Sequence, residues 1–221
     1  MRHFLSLTTL VCLCPLATAA KTDEAREREK LEKAGAQVTT DDAMPDAARL
    51  RVSFARLDDK AAIALKGCTH VAALTVEDAS RLTDKTLAIF GTFRELRELS
   101  LFKPAVTGAG LAHLKDLKEL RKLYLIDARL YDAGVAHLKI LDNLEELDLS
   151  GTAITNAAGT TFKDLPALKL LAVSKTKFGD SGAAQLKELK ELKNLEAVNT
   201  DLSVAGAMAL EAAVPGIKVR R

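Results

Sequence analysis

Apolar positions in this chain recur on a period longer than that of any helix or strand. Leu96, Leu120, Leu144, Leu168 and Leu192 stand 24 residues apart. Each opens a spaced apolar triplet: Leu96/Leu99/Leu101, Leu120/Leu123/Leu125, Leu144/Leu147/Leu149, Leu168/Leu171/Val173 and Leu192/Leu195/Ala197. A second column follows at Val106, Leu130, Ile154, Phe178 and Leu202. A third holds Leu114, Leu138, Phe162, Leu186 and Leu210, and a fourth Leu117, Leu141, Leu165, Leu189 and Ala213. Two looser rows precede these. Val71/Leu74/Val76 is followed by Leu82, Phe90 and Phe93, with one extra residue before Leu82 that a loop is expected to absorb. Leu50/Val52, Leu57, Leu65 and Cys68 fill the same columns one row earlier.

Each row mixes two short periods. The L-x-L part alternates, which predicts a short strand with its leucines on one side. After a turn, stretches such as Ala109 to Leu117 carry apolar residues at helical spacing. Thr107, Thr155 and Ser203, or Asp84, Asp132, Asn156 and Asp180 one residue later, are of the types that cap helices. Small residues recur at one helix position (Gly110, Gly134, Ala158, Gly182, Gly206), which predicts close approach to the neighbouring row. One row cannot bury its own apolar side, but stacked rows can. Strands about 4.8 Å apart then form a parallel sheet. The helices outside are wider, so the stack curves with its strands on the concave face.

Segments such as Leu144-Glu145-Glu146-Leu147-Asp148-Leu149-Ser150-Gly151-Thr152-Ala153-Ile154-Thr155 resemble the leucine-rich-repeat family. They are most similar to bacterial exported members whose short 24-residue rows read L-x-x-L-x-L-S-x-T-x-I-T-D-A-G-L. The resemblance spans residues 47–219. It implies a right-handed curved α/β solenoid, with a parallel sheet on the concave face, helices on the convex face, and a binding role. One position departs: the family's usual Asn or Cys after the triplet is here Pro104, Ala128, Thr152, Thr176 and Thr200. The buried asparagine ladder is therefore missing, and threonine hydroxyls are expected to replace part of it.

The ends read differently from the rows. Met1-Arg2-His3 is a short basic start, Phe4 to Ala20 is apolar or small, and Ala17-Thr18-Ala19 precedes charged Lys21. That order predicts a secretory signal over residues 1–20, cleaved near residues 19–20, and hence a secreted or periplasmic protein. The apolar run is shorter than the ~20 residues of a membrane span and contains Pro15, so no membrane insertion is expected after cleavage. Residues 21–46 read as an N-terminal cap. It has a charged helix from Asp23 to Ala34 and a short strand at Ala36 to Thr40, joined through Asp41-Asp42 and Met44-Pro45 to a strand near Leu50–Phe54. Repeats fill 47–213 in about seven rows. Over 214–221, Val214-Pro215-Gly216 breaks the last helix and Ile217-Lys218-Val219 forms a closing strand, whose Arg220 and Arg221 discourage further edge pairing.

Composition narrows the chemistry. Lys and Arg number 32 against 30 Asp and Glu, aromatics are 4% and Trp is absent. Nucleic acid is therefore not an expected partner. Cys12 and Cys14 lie in the signal, which leaves Cys68 without a disulfide partner. Cys68 with His70 is a conceivable nucleophile and base, but Cys68 occupies a core column and no orienting acid accompanies it. His70 is placed at the surface. His113 and His137 share a column with Thr161, Gln185 and Ala209, read as solvent-facing helix surface, and no third metal ligand is evident. Gly108-Ala109-Gly110 is a repeat helix start and not a dinucleotide loop. Lysines 115, 118, 139, 163, 187 and 190 interleave with acids as a solvated face. No catalytic residue, cofactor or metal is expected.

Side chains between the core leucines point into the concave face. One stripe is Thr75, Ser100, Tyr124, Asp148, Ala172 and Glu196. A second is Glu77, Phe102, Ile126, Ser150, Ser174 and Val198, and a third is Ala73, Glu98, Lys122, Glu146, Leu170 and Asn194. Phe102, Tyr124 and Ile126 become neighbours, rimmed by Glu98, Lys122, Glu146 and Asp148. Exposed apolar clusters with polar rims bind proteins. The expectation is a non-catalytic exported scaffold that holds a protein or peptide there. Two alternatives are a structural cell-envelope protein assembling through its ends or outer face, and an intracellular adaptor resembling ubiquitin-ligase substrate receptors.

Overall fold

The computed structural model describes residues 15–41 and 49–221, with side chains described from residue 23 onward. The expected signal segment, with Cys12 and Cys14, lies outside the described residues as far as residue 14. The expected link through Asp42, Met44 and Pro45 lies outside them too.

Among the described residues, nine strands form one sheet in chain order. They are β1 (Gln37–Thr40), β2 (Leu50–Asp58), β3 (Val71–Arg81), β4 (Glu98–Phe102), β5 (Lys122–Ile126), β6 (Glu146–Asp148), β7 (Leu170–Ala172), β8 (Asn194–Glu196) and β9 (Lys218–Arg220). Only β1 runs antiparallel to its neighbour; every other pair is parallel. Leu99, Leu123, Leu147, Leu171 and Leu195 stand side by side in that register, all fully buried. Each such side chain stabilises the stack by ~1.5–3 kcal/mol before entropy is subtracted.

Two details of the early rows differ from the sequence reading. Val52 pairs with Leu74 and Phe54 with Val76, so the first triplet is Leu50/Val52/Phe54, and Phe54 is fully buried. The residue expected in a loop after Val76 instead lies in a strand. β3 runs on to Arg81, and the pairing shifts between Arg56/Asp78 and Asp58/Arg81. A bulge absorbs one residue without ending a strand.

The outer segments are tighter than ordinary helices. Gly108–Leu111, Asp132–Val135 and Asp180–Ala183 are single α turns that continue as 3-10 segments at Ala112–Asp116, Ala136–Ile140 and Ala184–Glu188. A 3-10 segment rises about 2.0 Å per residue, so a short stretch can span the row. Fuller α-helices occur at Asp84–Phe90 and at Val204–Ala213.

What joins row to row is a ladder of side-chain clamps. The Asp84 carboxylate accepts bonds from the Thr107 N–H and hydroxyl, at 2.7 and 2.7 Å. Asp132 does the same for Thr155, at 2.8 and 2.8 Å, and Asp180 for Ser203, at 2.7 and 2.7 Å. Asp59 holds Thr83 and Thr86, and the Asn156 side-chain oxygen accepts from the Gly179 and Gly182 N–H groups. These residues therefore do not cap their own helices; Thr83, Thr155 and Ser203 do that. The small-residue column makes room for the clamps. A β-carbon on Gly110 would lie 2.3 Å from Asp84 Oδ1, and one on Gly206 would lie 2.1 Å from Asp180 Oδ1. The threonines in place of the asparagine ladder act within their own rows. Thr152, Thr176 and Thr200 donate to the carbonyls of Leu149, Val173 and Ala197.

The clamps make stability depend on pH. For Asp59 burial raises the carboxyl pKa, but bonds from Thr83 and Thr86 outweigh it and hold it below the ordinary value. Asp180 is lowered by the Ser203 N–H and hydroxyl. A carboxyl depressed in the folded state contributes stability above its unfolded pKa of ~3.9, and that contribution is lost as pH falls through the folded value. Urea midpoints should therefore fall as pH drops below about 4, and more shallowly in Asp59→Asn/Asp180→Asn. An unchanged slope in that variant would assign the acid lability to other groups.

At the N-terminal end, α1 (Pro15–Lys33) starts earlier than the expected Asp23 and crosses the expected cleavage position. It buries Leu31 against the first row. Glu24 pairs with Arg49 at 2.9 Å, and the Glu27 carboxylate accepts from the Thr69 and His70 N–H groups at 2.8 and 2.9 Å.

Candidate functional site

β4 to β6 carry the candidate patch because alternate residues of each strand must face away from the leucine core. The register sets Phe102 beside Ile126, Ser100 beside Tyr124, and Glu98 beside Lys122. Lys122 and Tyr124 in turn stand beside Glu146 and Asp148. The three apolar residues of the patch are therefore neighbours on one face. Phe102 is 39% exposed, the most open large apolar side chain on this face, while Tyr124 and Ile126 are half-buried. Lys103 Nζ stands 5.3 Å from the centre of the Phe102 ring, within cation–π range.

The rim charges are largely consumed within the protein. Glu146 accepts from Lys122 at 2.8 Å and from the Tyr124 hydroxyl. Arg51 of β2 reaches across to Glu98 at 3.1 Å. Asp148 accepts from the Ser150 N–H at 2.8 Å. Burial, then the bond to Glu146, then the charges of Glu146, Glu98 and Asp148 push the Tyr124 hydroxyl well above its ordinary pKa. Burial raises the Glu146 carboxyl, but Lys122 and Tyr124 outweigh it and hold it below the usual value. The bond to Glu146 raises Lys122 against an opposing effect of burial. Glu146 thus holds two long side chains of the patch in place.

A feature invisible to the apolar pattern borders this face. Lys103, Asp127, Lys175 and Asn199 have φ of 56°, 56°, 57° and 57°, and Gly151 in the same column has 73°. The five rows from β4 to β8 thus turn out of their strands through a left-handed residue, which costs roughly 1 kcal/mol at a non-glycine. Asn, Asp and Gly were the available signal for it, masked by the two lysines.

Other candidate chemistry falls elsewhere. Cys68 is 1% exposed and packs in the core. Burial, and then the charge of Glu27, push its thiol up to about 11, so it stays protonated at neutral pH. His70 was placed at the surface by the sequence. Instead it is largely covered, its side chain 12% exposed and its Nδ1 3.1 Å from Glu27 on α1. His113 and His137 are exposed, but Thr161 in their column is 2% exposed, so that column is not solvent-facing throughout. Among the described residues no group of three His, Cys, Asp or Glu is placed to hold a metal ion. None of their helices is long and apolar enough to cross a membrane.

Comparisons with known proteins add the fold. No family description matches the sequence, and no curated protein does. Among solved structures the chain is similar to internalin C2 of Listeria monocytogenes, with a TM-score of 0.55 and 17% identity over 92% of this chain and 80% of that one. It is also similar to the internalin inlF of the same organism, with a TM-score of 0.48 and 15% identity over 75% of this chain. The chain spans 50% of the length of that protein. Internalins are leucine-rich-repeat proteins, and the likeness to internalin C2 concerns architecture alone.

Proposed function

We propose that this leucine-rich-repeat solenoid is an exported, non-catalytic scaffold that captures a protein or peptide on the concave face of its sheet. The observation carrying this reading is the Phe102–Tyr124–Ile126 cluster, apolar at positions that core packing leaves free. A curved sheet repeats the same outward position strand after strand, and so offers an extended surface that no single loop could offer. Around the cluster, Glu146 holds Lys122 and Tyr124 in fixed positions. Binding to such a surface does not have to order those side chains, and an apolar anchor in a fixed polar ring is the usual anatomy of a binding hot spot. Export is supported by the basic start, apolar stretch and Ala17-Thr18-Ala19 of residues 1–20.

Changing Phe102 and Tyr124 together to serine should abolish capture of the partner from envelope or medium extracts. Thermal unfolding should stay nearly unchanged, because neither side chain belongs to the leucine core. Capture that persists in this variant would exclude the site.

A further inference from the structure

The repeat shortens once, and a cavity opens where it does. Val52 and Leu74 are partners across β2 and β3 yet stand 22 residues apart, against 24 for each pair from Leu99 to Leu195. The outer segment carries the difference. Asp59–Ala62 continues into a 3-10 turn of 3 residues, Ile63–Leu65, where the rows of β4, β5 and β7 have 5. The next row instead carries the 7-residue helix Asp84–Phe90. The longer segment overhangs the shorter one, and between them lies a cavity of about 720 Å³. Its size and its apolar wall with a few polar groups are those of a small-molecule site.

The lining specifies what fits. Ile63, Cys68, Ala88 and Ile89 give an aliphatic wall, and no aromatic ring is among the lining residues. Ile63 is 57% exposed there. The threonine hydroxyls of the wall are already used: Thr92 donates to the Ile89 carbonyl at 2.7 Å and Thr69 to Glu27 at 3.0 Å. Lys66 and Lys85 also line the cavity, and no carboxylate does. Among the described residues neither ammonium group forms an ion pair. Acids on the bordering segments are held elsewhere, Glu27 by Thr69 and His70 and Asp59 by Thr83 and Thr86. Lys85 lends part of its charge to Asp59, which leaves Lys66 the freer of the two.

We infer that this cavity binds a small amphiphile with an unbranched aliphatic chain and a carboxylate head. The chain lies along Ile63, Ala88 and Ile89, and the head meets Lys66 and Lys85. Each methylene removed from water adds affinity, and the two ammonium groups select the sign of the head. A ring would find nothing to stack on, and a cationic head would meet like charge. The site stands on the outer segments of the first rows and does not depend on the concave-face reading.

Isothermal titration of the full chain with decanoate, hexanoate and decyltrimethylammonium, each kept below micelle formation, tests this. Decanoate should bind at one site, hexanoate at least about tenfold more weakly, and decyltrimethylammonium not measurably. Ala88→Phe, at an exposed position of its helix, fills the cavity and should abolish decanoate binding while leaving the thermal transition in place. Lys66→Glu/Lys85→Glu should turn the preference to decyltrimethylammonium, and Phe102→Ser/Tyr124→Ser should change nothing. Absence of decanoate binding would overturn the inference. So would equal binding of the two head groups or of the two chain lengths, retention in Ala88→Phe, an unaltered preference in the charge-reversed variant, or loss in the concave-face variant.

Discussion

Leu147→Asp should leave the middle of the stack unfolded at room temperature. Leu147 is fully buried on β6, between Leu123 of β5 and Leu171 of β7. Deleting a buried leucine costs 2–5 kcal/mol, and an unpaired carboxylate in its place costs several more. Domains of this kind are stable by only ~5–15 kcal/mol, so one substitution removes most of the margin. Because each row rests only on its neighbours, the loss should spread to the adjacent rows before it reaches the ends. Hydrogen exchange should show protection lost first over β5, β6 and β7. Ala153→Asp, an exposed position in the same row, should stay within about 0.5 kcal/mol of the parent. A cooperative native-like melt in Leu147→Asp would mean that the equivalent leucines do not form one continuous core.

The second large effect is expected at the one place where the clamp ladder is interrupted. Gly108 stands in the column of Asp84 and Asp132, so its row has no carboxylate to offer the next, and Tyr131 replaces the receiving threonine. The two rows instead meet backbone to backbone. A β-carbon on Gly134 would lie 2.3 Å from the Gly108 Cα, and one on Gly108 would lie 2.2 Å from the Gly134 Cα. No side chain is present to swing aside, so Gly134→Ala must push the rows apart, at about 1–3 kcal/mol. Gly134→Val should cost more. In Gly110→Ala the obstacle is the Asp84 carboxylate, which can move, and the cost then takes the form of weakened bonds to Thr107. Urea unfolding of the single variants, and of Gly110→Ala in an Asp84→Ala background, separates the two cases. The Asp84→Ala background should relieve most of the Gly110→Ala penalty. Equal penalties in both backgrounds would contradict the close-contact account.

The parts of the architecture legible in the sequence were those written in apolar residues. The leucine triplets give the strands and their register from Leu96 onward, because only buried positions must be apolar in every row. Phe54 escaped because β2 reaches its buried pair through a register shift that a fixed period cannot show. The clamps escaped for a different reason. Asp132 and Thr155 are 23 residues apart, and an aspartate one residue into a helix looks the same whether it caps its own turn or reaches the next row. The position of His70 depends on Glu27, a contact between the cap helix and the first rows that no repeat column encodes.

The candidate patch was legible by elimination. Once Leu99, Leu101, Leu123 and Leu125 are assigned to the core, Phe102, Tyr124 and Ile126 must face outward, and the register places them together. The charges around them were harder to read. Glu98, Lys122 and Glu146 look like a free rim in the sequence, but Arg51 from a strand two places away and the Tyr124 hydroxyl occupy them. Those contacts depend on side-chain reach across the sheet, which spacing alone does not specify.

If a partner sits on the concave face, position-resolved crosslinking will place it there. A photoreactive phenylalanine analogue placed at Ser100 or Ser150 lies on the concave face, and one at His137 or Gln185 lies on the outer segments. In the native envelope or medium, Ser100 and Ser150 should yield one discrete adduct that disappears in the Phe102→Ser/Tyr124→Ser background, with none from His137 or Gln185. The same adduct arising only from the outer positions, or surviving the double substitution, would contradict the account.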